Sequence, residues 1–109
     1  MDYLLTVIIP NRNITDLLQR CLDSIPRRDD IQIIVVDDAS DIPQEQFDSY
    51  PGLGEKNVEV IFTKEGRGAG YARNVALEHA RGKWLMFVDS DDFLLPSALS
   101  LIDRYAGSD

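Results

Sequence analysis

The sequence is poor in cysteine and histidine, and this scarcity excludes two kinds of site. Cys21 is the only cysteine among 109 residues, so an internal disulfide and a zinc site built on several cysteines are both excluded. It lies among leucines at helical spacing, which favours a packing role. His79 is the only histidine. A metal centre with several histidines is therefore excluded as well, and we expect no catalytic role for His79.

Positive charge and long apolar runs are also scarce. Lys and Arg number 11 against 19 Asp and Glu, a formal net charge of −8, which argues against nucleic acid or an anionic membrane as the main partner. An anionic substrate would need local cations, which mildly favours a bound divalent metal. No run is long enough to span a bilayer, and the N-terminus lacks the pattern of a signal peptide. We therefore expect a cytoplasmic protein.

Apolar runs alternate with helical patterns along the chain. Runs rich in β-branched and apolar residues predict strands at 4–9, 31–36, 58–63 and 83–88. Helices are predicted from Leu17 to a stop at Pro26, from Ala72 to a C-cap at Gly82, and onward from Pro96, with a weaker one over 43–50. The pattern predicts one α/β domain over residues 1–109, a mostly parallel sheet of about four strands flanked by helices.

A polar cluster follows each predicted strand. The four clusters are Pro10-Asn11-Arg12-Asn13, Asp37-Asp38-Ala39-Ser40-Asp41, Lys64 to Gly70, and Asp89-Ser90-Asp91-Asp92. The carboxyl ends of parallel strands meet at one edge of the sheet, where open α/β sheets bind their ligands. The four clusters therefore predict a single ligand site at that edge.

The last cluster places three carboxylates at the end of a buried strand. Crowded carboxylate oxygens suit Mg²⁺ or Mn²⁺, which usually keep waters and bridge to substrate phosphates. We predict Asp91 as the direct ligand, with Asp89 as a further metal or ribose contact, and Asp92 as a cap of the next helix. Taken alone, the motif is equally compatible with a solvated turn.

The second and third clusters offer contacts for the other parts of a nucleotide. Asp37 and Asp38 can accept hydrogen bonds from a nucleobase or a ribose, although Asp is also common in turns. Gly68 and Gly70 open a helix, where free N–H groups and close backbone approach favour an anion. Arg73 lies one turn further on, where it can reach a phosphate or pair with an acidic neighbour. Lys64 and Arg67 are additional candidate cations.

Together the four motifs resemble the nucleotide-binding half of family 2 glycosyltransferases, inverting enzymes of the GT-A fold that use nucleotide diphosphate sugars. The resemblance covers nearly the whole chain. It implies that Asp38 holds the base, usually uracil, with Pro10, Asn11, Arg12 and Asn13 lining the base pocket. It further implies that Arg73, Gly68, Gly70, Asp37, Asp89 and Ser90 lie around a UDP-sugar, and that Asp91 ends the motif for Mn²⁺ or Mg²⁺. Arg12 departs from the Tyr-Asn pair that is common there.

The family's catalytic base lies in an acceptor-binding half, and no residue of this sequence matches it. We expect that base beyond Asp109, so this chain alone should be inactive. The resemblance implies an acceptor sugar or a lipid-linked glycan, and a full-length protein at the inner face of the membrane. An exposed apolar face on the last helix would favour self-association. Two alternatives stay open: a receiver-like phosphoacceptor module, whose acidic pair should follow the first strand, and a noncatalytic scaffold domain.

Overall fold

The computed structural model describes residues 3–13, 15–38, 48–64, 66–90 and 96–105. In these ranges the chain alternates strands and helices: β1 (Tyr3–Asn11), α1 (Thr15–Asp23), β2 (Ile31–Asp38), β3 (Val58–Thr63), α2 (Ala69–Leu77), β4 (Gly82–Phe87) and α3 (Pro96–Tyr105). The predicted alternation is confirmed, and Pro96 is the first residue of the last helix. The helix predicted over 43–50 falls on residues that, up to 47, lie outside the described ranges.

The four strands form one sheet in the order β3-β2-β1-β4, and every neighbouring pair is parallel. The chain first steps outward from β1 through β2 to β3, and then returns to place β4 on the other side of β1. The strand order therefore reverses between β1 and β4. In open α/β sheets a ligand crevice forms at such a reversal, beyond the carboxyl ends of the strands.

Both faces of the two central strands are covered. On one face, odd-numbered side chains of β1 and β2 pack against α1 in a cluster that includes Leu18, Cys21 and Leu22. On the other, Ile8, Ile34 and Val36 pack against Ala72 and Ala76 of α2. Burial on both faces explains why these strands are almost continuous in Val, Ile and Leu. The buried packing role predicted for Cys21 is confirmed.

Pro10 marks the point where the sheet opens between β1 and β4. The Ile8 carbonyl accepts a hydrogen bond from the N–H of Val88 at 3.0 Å, so the backbone groups of Ile8 point toward β4. The backbone of Pro10, two residues further on, points the same way but has no N–H to donate. Pairing with β4 ends there, while pairing with β2 continues to Asn11 and Asp37. Among the residues that the structure describes, the carboxyl end of β1 is therefore paired with β2 alone.

The predicted C-cap role of Gly82 is wrong. Helix α2 already ends at Leu77, and its C-cap is Glu78 in a right-handed helical conformation. Gly82 instead begins β4, where its N–H donates to Thr6 Oγ1 at 2.8 Å. A Cβ at this position would lie 2.4 Å from the backbone nitrogen of Thr6. The glycine is thus required by the close approach of two strands and not by a helix end.

The strand before Asp89 was predicted to be buried, and this prediction is wrong, because β4 is an edge strand. It exposes apolar side chains on both faces, namely Trp84, Leu85 and Phe87. Leu101 of α3 is also exposed, and the predicted self-association stays a prediction. Helix α3 is tied to the turn before β2, because Arg28 donates to both carboxylate oxygens of Asp103. In the described part of the chain, no helix combines the length and apolar character needed to cross a membrane.

Candidate nucleotide site

The ends of β1 and β2 are joined by a buried tyrosine. Asn11 and Asp37 are register partners on neighbouring strands, and Tyr50 lies beside both. Asn11 Nδ2 donates to the Tyr50 hydroxyl at 2.5 Å, and that hydroxyl donates to Asp37 Oδ2 at 2.5 Å. All three residues are at most 5% exposed. Burial, followed by the hydrogen bond to Asp37, raises the pKa of Tyr50, so the phenol remains a donor at neutral pH.

Asp38 holds the connection between β3 and α2. Its Oδ1 accepts hydrogen bonds from Thr63 Oγ1 at 2.5 Å and from the N–H of Gly66 at 3.0 Å, and its Oδ2 accepts from the N–H of Gly68 at 2.8 Å. Burial alone would raise the pKa of this carboxyl. The hydrogen bonds outweigh burial and leave the pKa below its usual value. Asp38 therefore stays ionised and fixes the loop that leads into α2.

The first turn of α2 has no side-chain cap. Gly68 is its N-cap, with φ 90° and ψ −176°, a backbone conformation that favours glycine, and no acidic residue lies in the first turn. The N–H groups at a helix start lack intrahelical partners and favour an anion. Gly70 lies in this turn, and a Cβ added there would meet nothing within 4 Å. The start of α2 thus has the features of a phosphate subsite.

Arg73 connects α2 to the carboxyl end of β4. Its Nη2 lies 3.8 Å from Asp89 Oδ1, and its guanidinium carbon lies 5.9 Å from the centre of the Phe87 ring. The Arg73 and Asp89 side chains are 40% and 69% exposed, so the pair is screened by water and weak. Ser90, the next residue, is buried. Both charged groups therefore remain able to contact a ligand in solvent.

The predicted metal site is described only in part. Asp89 offers an exposed carboxylate, a donor that fits Mn²⁺ or Mg²⁺, whereas the predicted direct ligand Asp91 lies outside the described residues, as does Asp92. Among the residues that are described, no group of three or more His, Cys, Asp or Glu side chains could hold a metal ion. A cation at Asp89 would therefore need further oxygens from Asp91, water or a diphosphate.

The structure brings most predicted site residues to one sheet edge, in three separate contacts. Asn11 and Asp37 are joined through Tyr50, Asp38 accepts from the N–H of Gly68, and Arg73 lies near Asp89. Arg12 and Asn13 follow β1 as exposed residues. Pro10 is buried within β1. Two residues of these contacts were not predicted, Tyr50 and Thr63. Thr63 could have been found, because it ends β3 as Asp38 ends β2, but no local pattern marks Tyr50.

A polar cavity at the opposite edge of the sheet is not part of this site. Its walls include Tyr3, Glu59, His79 and Arg81, and His79 Nδ1 lies 3.0 Å from Glu59 Oε2. It lies at the amino ends of the strands, where open α/β sheets do not place their ligands. His79 and Glu59 thus form a half-exposed pair at the surface, and this contact explains the position of His79.

The sequence model of one protein family, described as Glycosyl transferase family 2, matches residues 6–107. That range includes all four polar clusters. The chain belongs to glycosyl transferase family 2. The predicted resemblance is therefore confirmed.

Two named relatives of this family 2 chain are poly(ribitol-phosphate) glycosyltransferases. It is 36% identical over 100 residues to a poly(ribitol-phosphate) beta-glucosyltransferase of Bacillus spizizenii, covering 87% of this chain and 16% of the relative. It is 33% identical to the Staphylococcus aureus poly(ribitol-phosphate) beta-N-acetylglucosaminyltransferase TarS, covering 92% of this chain and 19% of the relative. The chain thus spans about a fifth or less of these two curated relatives.

Solved structures share the fold of this family 2 chain. S. aureus TarS 1–349 in complex with UDP-GlcNAc superposes with a TM-score of 0.75 and 31% identity, over 96% of this chain and 31% of that one. The Pyrobaculum calidifontis mannosyltransferase PcManGT, in complex with GDP-Man and Mn²⁺, gives 0.73 and 27%, over 97% and 32%. These neighbours are GT-A glycosyltransferases, so the predicted fold class is confirmed.

The strand order also excludes the receiver-like alternative. Receiver-type sheets have the order 2-1-3-4-5, which places β3 next to β1. Here β1 lies between β2 and β4. The order β3-β2-β1-β4 instead matches the first four strands of the order 3-2-1-4-5-6 found in dinucleotide-binding sheets.

Proposed function

We propose that this chain is the donor-binding part of an inverting glycosyltransferase that moves a sugar from a nucleotide diphosphate donor to an acceptor hydroxyl. A UDP-sugar is the proposed donor, and a sugar or lipid-linked glycan the proposed acceptor. The observation that carries the proposal is the position of the site. The described residues of four polar clusters in a family 2 chain follow the carboxyl ends of the strands, beside the β1–β4 reversal.

Each part of the donor has a matching group in the proposed site. Asn11, Asp37 and Asp38 at the ends of β1 and β2 are proposed for the base and ribose. The uncapped start of α2 and the guanidinium of Arg73 are proposed for the diphosphate. A local cation matters here because the chain carries a net charge of −8, which repels an anionic donor.

Asp89 and Asp91 are proposed to hold a divalent cation, Mn²⁺ or Mg²⁺. When bound, such an ion offsets the negative charge that develops on a departing nucleoside diphosphate. Arg73 would contribute to the same task from the start of α2, because its charge is permanent and its five N–H donors fit phosphate oxygens. Transfer also needs a base that takes the proton of the acceptor hydroxyl. We propose that the acceptor-binding half supplies it.

Calorimetric titration tests this function. We expect UDP to bind the chain in the presence of Mn²⁺, and to bind more weakly without it. Asp91→Ala should abolish this dependence on Mn²⁺, and Asp38→Ala should weaken UDP binding. Asp48→Ala is the matched control, because Asp48 is an exposed aspartate outside the proposed contacts. Equal UDP affinity with and without Mn²⁺ would contradict the metal assignment. No binding of UDP or GDP at all would favour a noncatalytic scaffold.

A further inference from the structure

Tyr50 is a buried polar residue that the proposed function does not use. It is 2% exposed and lies in the core cluster on the α1 face of the sheet. Its ring makes an edge-to-face contact with Phe62, with the ring centres 5.0 Å apart. Packing of this kind holds the ring in place. The ring would fill its position equally well as a phenylalanine, so the hydroxyl needs an explanation of its own.

The hydroxyl links two residues of the proposed nucleotide site. It accepts from Asn11 Nδ2 and donates to Asp37 Oδ2, both at 2.5 Å. Asn11 and Asp37 are register partners at the point where β1 has no pairing with β4. The phenol therefore adds a side-chain connection between the ends of β1 and β2, at a point beyond the last residue that β1 pairs with β4.

The same contact determines the orientation of the Asn11 amide. The Tyr50 hydroxyl gives its hydrogen to Asp37, so toward Asn11 the hydroxyl can act only as an acceptor. The Asn11 amide must therefore turn its NH₂ group toward the hydroxyl. The amide oxygen then faces elsewhere. Among the described residues, Asn11 Oδ1 is the buried side-chain atom with no hydrogen-bond partner. A buried acceptor without a partner is costly, and a donor from a bound ligand would satisfy it.

We propose that Tyr50 is a positioning residue of the nucleotide site, which holds the Asn11 amide with its oxygen available to an N–H or O–H donor of the nucleoside. This inference rests on the proposed function, because it takes the ligand to be a nucleotide. Nucleobases carry N–H donors and a ribose carries hydroxyls, whereas a diphosphate offers acceptors. The unpaired Asn11 oxygen thus fits the nucleoside part of a nucleotide sugar and not its phosphates.

The test is a double-mutant cycle read by UDP affinity in the presence of Mn²⁺. The four proteins are the wild-type chain, Asn11→Ala, Tyr50→Phe and the double variant. We expect each single change to weaken UDP binding about tenfold, as loss of one hydrogen bond would. Since Tyr50 acts through Asn11, the double variant should bind UDP with about the same affinity as the single variant that binds UDP less tightly. Tyr3→Phe, the same chemical change at the amino end of β1, should stay within about twofold of wild type.

Several outcomes would overturn the inference. Tyr50→Phe could bind UDP within about twofold of wild type while its thermal midpoint falls, which would leave Tyr50 a merely structural role. Additive losses in the double variant would show that Tyr50 does not act through Asn11. If Tyr50→Phe does not fold, Asn11→Ala alone decides, because unchanged UDP affinity in that variant overturns the inference and a tenfold loss supports it. Absence of UDP binding to the wild-type chain would overturn the proposed function itself.

Discussion

Asp38 shows how one carboxylate can organise a whole connection. Its two oxygens accept hydrogen bonds from Thr63 at the end of β3 and from the N–H groups of Gly66 and Gly68. Backbone N–H groups that converge on one carboxylate stabilise its charged form and so keep the carboxylate ionised. The charge of Asp38 thus fixes the loop before α2, and its predicted contact with a nucleobase stays a prediction.

Replacing Asp38 by asparagine should destabilise the fold. The amide has one acceptor oxygen, and its NH₂ group would face a backbone N–H that now lacks a partner. We expect Asp38→Asn to lower the free energy of unfolding by roughly 1.5–3 kcal/mol, the value of a hydrogen bond to a charged group. Urea denaturation measures this change. Asp48→Asn, at an exposed position, is the control, and an effect of Asp38→Asn no larger than the control's would contradict the role described for Asp38.

Among the elements, β4 is held against β1 by a contact that excludes any side chain at its first residue. A Cβ on Gly82 would lie 2.4 Å from the Thr6 nitrogen and 2.7 Å from the Leu5 carbonyl carbon. Both atoms belong to the backbone of the central strand and cannot rotate away. The N–H of Gly82 also donates to Thr6 Oγ1, which itself donates to Gln32 Oε1 at 2.7 Å. A displacement of β4 would therefore disturb a buried polar network as well as a strand pairing.

We expect Gly82→Ala to destabilise the chain by about 1–3 kcal/mol or more, because the added methyl group forces β4 away from β1. Gly70→Ala is the matched control. Its Cβ meets nothing within 4 Å, and alanine is favoured over glycine in a helix, so its free energy of unfolding should stay equal or rise by up to about 1 kcal/mol. Chemical denaturation of both variants gives the two values. Equal effects of the two substitutions would refute the assignment of Gly82 to a close strand contact.

The elements were largely predictable from the sequence, and the reasons are local. Strands β1 and β2 are continuous apolar runs because both faces are buried, and Pro96 is typical of a first helical turn. The role of Gly82 was not predictable, because a glycine after a helical pattern fits a C-cap as well as a close strand contact. Tyr50 was missed because its partners Asn11 and Asp37 lie 39 and 13 residues away. Contacts of this range depend on strand order, which local patterns do not contain.

For the whole molecule, acid conditions should reduce stability through specific carboxylates as well as through net charge. Hydrogen bonds to Arg28 lower the pKa values of Asp30 and Asp103, and the network around Asp38 lowers its pKa against the opposing effect of burial. A carboxylate with a lowered pKa in the folded state stabilises the fold above its unfolded value of 3.8. That contribution is lost as the pH falls through the folded-state pKa. Of the three, Asp38 is the buried one.

The pH dependence of unfolding should therefore separate Asp38 from the exposed carboxylates. Wild-type stability should be retained near neutral pH and should fall as the pH drops below 3.8, the unfolded value. Asp38→Asn should lower stability at neutral pH and flatten the acid slope, because the variant has no proton to bind at this position. Urea denaturation across this range gives both slopes.

Asp103→Asn is the control for this prediction, since Asp103 is exposed and its pairing with Arg28 is screened by solvent. It changes the net charge by the same amount, so the general effect of charge on acid unfolding is equal in the two variants. Any further flattening in Asp38→Asn must come from the buried network. Identical acid slopes in the two variants would contradict that role, and would mean that total charge governs acid unfolding of the chain.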